Sequence, residues 1–193
     1  MKLFTRENIS TNESVFGMTD VGMRREGNED AFLLLPEKHL YIVSDGMGGH
    51  NAGEVASQTA VDALQAFFDS HAIQPIPEDT REAVLINAVH EANRLVFETS
   101  LSAPEFSGMG CTLVVAFIDK STLHVCHVGD SRVYVIDKKE IIQVSTDHSM
   151  VMELVQAGQM SLAEARHRYL KNQLTQALGT SPAVRPESIY SER

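Results

Sequence analysis

The stretch AFLLLPEKHLYIVSDGMGGH, residues 31–50, decides the fold. Two apolar runs, Ala31–Leu35 and His39–Ser44, flank Pro36-Glu37-Lys38. Short apolar runs around a proline-containing break predict an antiparallel hairpin. The second run ends in Asp45-Gly46-Met47-Gly48-Gly49-His50, a glycine-rich break directly after a strand. Working outward, Ser14–Met18 reads as a short strand before a charged loop, and residues 1–13 as a flexible lead-in. Helical spacing of Ala56, Ala60, Ala63, Leu64 and Phe67 predicts a helix from about Gly53 to Asp69. After a loop carrying Pro75 and Pro77, a second apolar stripe predicts a helix over Thr80–Ser100.

Strand patterns return at Thr112–Ile118, Leu123–Val128, Arg132–Ile136 and Glu140–Val144, and helical ones at Ser149–Val155, Leu162–Tyr169 and Gln173–Leu178. Hairpins dominate, and strands do not alternate with helices as a parallel sheet requires. The fold class is therefore α+β, with helices packed on antiparallel sheets. Long apolar runs suit strands covered on both faces.

The 193 residues include 26 acidic and 16 basic side chains, a formal net charge of −10. That excess opposes binding to nucleic acid, whose phosphates need clustered Lys and Arg. No apolar run approaches the roughly 18–20 residues of a membrane span. Two cysteines, Cys111 and Cys126, make neither a disulfide framework nor a four-thiolate zinc site. Low cysteine use and a polar N-terminus lead us to expect a cytoplasmic protein.

Asp45, at a strand end beside glycine, is a rigidly held carboxylate, and Gly46 lets its carbonyl approach a ligand closely. Hard cations such as Mg²⁺ or Mn²⁺ prefer such oxygens. Arg25-Glu26-Gly27-Asn28-Glu29-Asp30 supplies a guanidinium fork suited to phosphate and two further carboxylates. Asp130 lies in a break between strands, and Asp147 or Ser149 suits a helix cap. Cys126 to Arg132 has the C-x₅-R spacing of thiol phosphatases, but Cys126 falls inside an apolar strand, where a thiol is inert. Side chains alternate along a strand, so His124, Cys126 and His127 do not converge on one metal.

Taken in order, Arg25–Asp30, Asp45–His50, Gly53–Ser57, Gly110–Thr112, Val128–Tyr134, Asp147–Ser149 and Ala177–Gly179 closely resemble the motifs of the metal-dependent type 2C protein phosphatases, especially bacterial stand-alone domains. The resemblance runs from about Val15 to Gly179. It implies a four-layer α/β/β/α sandwich: two antiparallel sheets flanked by helix pairs. It also implies hydrolysis of phosphoserine and phosphothreonine on proteins, opposing a Ser/Thr kinase, with two or three Mn²⁺ or Mg²⁺ ions and a metal-bridging water. By resemblance, Asp45 bridges two metals, the Gly46 carbonyl ligates one, and Glu29 and Asp30 hold metal-bound waters. Asp130 serves a third site, Arg25 grips phosphate and His50 protonates the leaving oxygen. The family continues after Ala-Leu-Gly with two more metal-binding aspartates. We therefore expect residues 14–193 to form a single type 2C domain incomplete at its C-terminus. The alternative is a regulatory module that binds phosphoproteins without turnover; a thiol phosphatase ranks third.

Overall fold

The computed structural model describes residues 2–8, 13–48, 52–70, 77–119, 122–165 and 173–192. The hairpin read from the sequence is present: β3 (Asp30–Leu35) and β4 (Leu40–Met47) pair antiparallel through a 3₁₀ turn at Pro36–Lys38. His39 closes that turn with φ 53°. β5 (Gly110–Cys111) pairs with the end of β4. β6 (Leu113–Asp119) and β7 (Thr122–Val128) form the next hairpin, and β10 (Glu187–Glu192) pairs with β7. The main sheet runs β10-β7-β6-β4-β3, antiparallel throughout.

Helices α1 (Ala52–Ser70) and α2 (Glu78–Ser100) cover one face of this sheet. α1 turns Ala56, Ala60 and Leu64 inward, and α2 turns Leu85, Val89 and Val96 inward. These meet Leu40, Ile42, Leu113, Val115 and Phe117, all at most 1% exposed, in one core. Each large apolar side chain buried there contributes about 1.5–3 kcal/mol. The opposite face carries Val114, Leu123 and Val125, packed against Val133, Val135 and Ile189. Val135 belongs to β8 (Tyr134–Ile136), which pairs with β9 (Ile141–Gln143). β2 (Glu13–Thr19) lies against the Phe32 ring on that side. The architecture is thus α+β, with two antiparallel sheet layers and helices outside. α3 (Met150–Gln156) and the short α4 (Leu162–Ala165) follow β9, α3 capped by the Ser149 hydroxyl.

Two expectations need correction. Residues 2–8, expected within a flexible lead-in, form β1 (Lys2–Asn8) and pair with β2 over their whole length. Gln173–Leu178, expected as a helix, is extended. The Leu178 N–H and carbonyl exchange bonds with Cys111 at 2.8 and 3.1 Å, Thr175 N–H donates to the His148 carbonyl at 2.9 Å, and Gln173 accepts from Met150 N–H at 2.9 Å. Backbone groups engaged with distant strands are unavailable for i→i−4 bonds, so tertiary pairing overrides helical spacing. Part of the helix expected at Leu162–Tyr169 lies outside the described residues.

Candidate active site

The end of β4 gathers the acidic residues. Asp45 stands directly opposite Asp30 in the β3–β4 ladder, so both carboxylates project from the same face of the sheet. Asp30 is oriented by its neighbours: the Asn28 carboxamide oxygen accepts its N–H at 3.1 Å, and the Thr19 hydroxyl donates to Oδ2 at 3.2 Å. The Glu29 carbonyl accepts from Gly46 N–H at 3.0 Å and from the Ser57 hydroxyl at 2.6 Å. The loop before β3, the end of β4 and the start of α1 are thereby joined at one point. Arg25, 62% exposed, reaches Glu29 at 3.4 Å.

Thr112 connects this group to Asp130. Its hydroxyl accepts the Asp45 N–H at 3.0 Å and shares a 2.7 Å bond with the Ser131 hydroxyl, while its own N–H donates to the Asp45 carbonyl at 2.9 Å. Asp45 is open to solvent at the sheet end, yet the surrounding chain strips enough hydration to raise its pKa. The charge of Asp30 raises it further, Arg25 opposes, and Asp130 and Glu29 add smaller increases. The Asp130 pKa is raised too, by burial and then by Asp147.

The structure therefore brings together Arg25, Glu29, Asp30, Asp45, Gly46 and Asp130. His50 lies outside the described residues. Sequence reasoning missed Thr112, Ser131 and Thr19 as the groups that orient these acids. The Gly110–Thr112 motif was the one available signal.

This donor set fits a divalent cation. Burial first, and then the neighbouring carboxylates, make Asp45 resist ionisation, and a cation among these hard oxygen donors relieves both costs. Among the described residues, the three His, Cys, Asp or Glu ligating atoms found within 4.8 Å of one another belong to His127, His148 and Glu187 instead.

That second cluster sets two imidazoles against one carboxylate. The His127 and His148 rings stack at 4.8 Å with planes 20° apart. A metal bound by both must lie in both ring planes, and near-parallel stacked planes share no point at bonding distance. Gly129 N–H donates to His148 Nδ1 at 3.2 Å, leaving the proton of the neutral ring on Nε2, 3.5 Å from Glu187 Oε2. His127 Nε2 lies 3.3 Å from the same oxygen. His124 packs with Phe117 and Tyr190, away from this stack, as strand alternation requires.

His127 is fully buried, and its pKa is lowered by burial and then by His148, with Glu187 opposing. Its neutral form is the folded form. The resulting stability is complete above about pH 6.5, the unfolded imidazole's value, and is lost as pH falls toward the folded value. His127→Gln is expected to flatten the fall in urea midpoint between pH 7.5 and 5.5. A slope equal to wild type contradicts this.

Thiol chemistry has no support. Cys126 is buried, its pKa pushed up to about 12 by burial and then by Glu82. Arg132 is committed to Asp147 by bonds of 2.6–3.1 Å.

Comparison with known proteins places the whole chain. The protein phosphatase 2C family model matches residues 24–178. A serine/threonine phosphatase, stp, of Listeria welshimeri is 36% identical over 175 residues, 89% of this chain and 69% of that protein. Protein phosphatase PhpP of Streptococcus pneumoniae is 34% identical over 174 residues, 88% of this chain and 69% of that protein. The crystal structure of serine/threonine phosphatase Stp1 from Staphylococcus aureus superposes with TM-score 0.83 and 32% identity, covering 99% of this chain and 70% of that one. The PstP catalytic domain, solved with two manganese ions, superposes with TM-score 0.73 and 32% identity, covering 89% and 68%. With its acidic cluster where the motifs converge, and with a match over most of its length, the chain belongs to the protein phosphatase 2C family.

Proposed function

We propose that this chain hydrolyses phosphoserine and phosphothreonine on proteins, reversing a Ser/Thr kinase in the cytoplasm. The observation that carries the reading is the placement of Asp30 opposite Asp45 at the end of β4, with Ser131, the neighbour of Asp130, tied to Asp45 through Thr112. We read residues 14–193 as one phosphatase domain.

Mn²⁺ or Mg²⁺ ions, held by Asp45, the Gly46 carbonyl, Glu29, Asp30 and Asp130, would neutralise the phosphate and lower the pKa of water toward neutrality. The chain's own groups do the rest. Arg25 presents its planar fork at the surface, loosely paired with Glu29, and is free to turn toward phosphate oxygens. Its charge offsets the negative charge spread over those oxygens as the ester breaks. A serine or threonine alkoxide is a poor leaving group, so His50, five residues after Asp45 in the sequence, is assigned the proton donation. Thr19, Asn28 and Thr112 hold Asp30 and Asp45 in place before substrate arrives. The exposed setting of Arg25 and Asp45 suits a phosphorylated side chain on a protein surface rather than an enclosed small molecule. Among the described residues, no helix is long and apolar enough to cross a membrane.

The test is turnover of a phosphothreonine peptide. Activity should require Mn²⁺ or Mg²⁺, vanish with a chelator and survive thiol alkylation. Binding of the peptide without turnover in excess Mn²⁺ would favour the regulatory module, and activity that persists in chelator would contradict the reading.

A further inference from the structure

Asp130 sits in a turn whose neighbours are each tied elsewhere. Gly129 adopts φ 102°, a conformation suited to glycine. Its N–H donates to His148 Nδ1 at 3.2 Å, and its carbonyl accepts from His148 N–H at 3.0 Å. Ser131 is bound to Thr112. Arg132 is drawn into a fork on Asp147: Nε donates to both carboxylate oxygens at 2.9 and 3.1 Å, and Nη2 to Oδ2 at 2.6 Å. Gln143 adds a bond to Asp147 Oδ1 at 3.1 Å. Asp147 is 9% exposed, whereas the Arg132 side chain is 48% exposed.

This arrangement is lopsided. A guanidinium two residues from Asp130 spends its bonds on a different, buried carboxylate. The paired bonds between Gly129 and His148 hold the Asp130 turn against the segment that carries Asp147. Without the Asp147 charge, the half-exposed guanidinium loses its fork partner, and Asp130 is the acid two residues before it in the chain. A guanidinium seated on Asp130 competes directly with a cation there.

We propose that Asp147 is a positioning residue that withholds Arg132 from Asp130 and so keeps the Asp130 carboxylate available to a divalent cation. This rests on the phosphatase reading above. It gives the Asp-His-Ser motif a task that its capping role leaves to Ser149 alone.

The experiment measures Mn²⁺ binding, through the electron paramagnetic resonance signal of the free ion, alongside phosphopeptide turnover. It compares wild type, Asp147→Asn and the double variant Arg132→Gln/Asp147→Asn. Asp147→Asn should need about 10-fold or more Mn²⁺ for half-saturation in both readouts, the scale on which supporting groups tune metal affinity. Its turnover at saturating Mn²⁺ should stay near wild type. The double variant, with no guanidinium left to capture Asp130, should return to the wild-type requirement. A merely structural role predicts a double variant as weak as the single one, and that result overturns the proposal. An unchanged Mn²⁺ requirement in Asp147→Asn also overturns it while leaving the phosphatase reading standing. Wild type that neither binds Mn²⁺ nor turns over peptide removes both. Should circular dichroism show Asp147→Asn unfolded, the double variant decides by the same criterion.

Discussion

Asp45→Asn is expected to lower Mn²⁺-dependent hydrolysis by more than about 100-fold, since losing partners that merely support metal ligands already costs 10- to 100-fold. The same substitution should leave the fold intact. Asp45 stands at the exposed end of β4, where its backbone bonds to Thr112 need no carboxylate. Its raised pKa, caused first by burial and then by the Asp30 charge, means that the ionised carboxylate is less favourable in the folded chain than in the unfolded one. Asparagine removes that charge, so the melting temperature in chelator should equal or exceed that of wild type. Added Mn²⁺ should raise the melting temperature of wild type and barely move that of the variant, because only a protein that binds the ion gains from it. Undiminished turnover, or an equal Mn²⁺ response, contradicts the assignment of Asp45.

Gly46→Ala has the larger effect on stability. A Cβ at residue 46 would stand 2.0 Å from the Gly53 carbonyl oxygen, 2.4 Å from its carbon and 2.7 Å from the Glu29 carbonyl oxygen. All three are backbone atoms, so no side chain can swing aside. Relief requires α1 to lift from β4, or the Glu29 loop to move with the ligands it carries. Overpacking costs typically 1–3 kcal/mol and occasionally more, and a backbone clash on two sides belongs at the top of that range. About 3 kcal/mol is a fall in melting temperature of roughly 6–12 °C for a domain of this length. Thermal unfolding checks it, and a change under about 2 °C would show that the α1–β4 contact is looser than described. Activity should fall as well, because the shift displaces Glu29 and Asp30 together.

The hairpins and both long helices were legible because local pattern and final environment agree. Ala31–Leu35 and His39–Ser44 are strands by composition, and in the sheet all of them but the turn residue His39 are strand. Ala56, Ala60 and Leu64 are helical by spacing and face the core. Legibility failed where distant pairing decides. Gln173–Leu178 carries helical spacing, yet its backbone bonds go to Cys111, His148 and Met150. β1 is a polar stretch with no pattern of its own, and its seven-residue register against β2 supplies the strand.

The candidate site divides along the same line. Asp45 and Gly46 could be read from one glycine-rich turn, and Glu29 and Asp30 from their acidic run. That Asp30 faces Asp45 depends on the register of β3 against β4. That Asp130 joins them depends on a hydroxyl pair between Thr112 and Ser131. Neither can be derived from spacing along the chain. The link between Arg132 and Asp147 is hidden for the same reason: the fork and its carboxylate are fifteen positions apart, across the β8–β9 hairpin.

On the reading proposed above, Glu29, Asp30, Asp45 and Asp130 share a divalent cation. The most direct measurement is Mn²⁺ titration followed by NMR, since the paramagnetic ion broadens amide resonances near where it binds. Early, selective broadening at Glu29, Asp30, Asp45, Gly46 and Asp130, absent from Asp45→Asn, is the predicted result. Broadening centred instead on His127, His148 and Glu187, or spread evenly over the acidic surface, would contradict it.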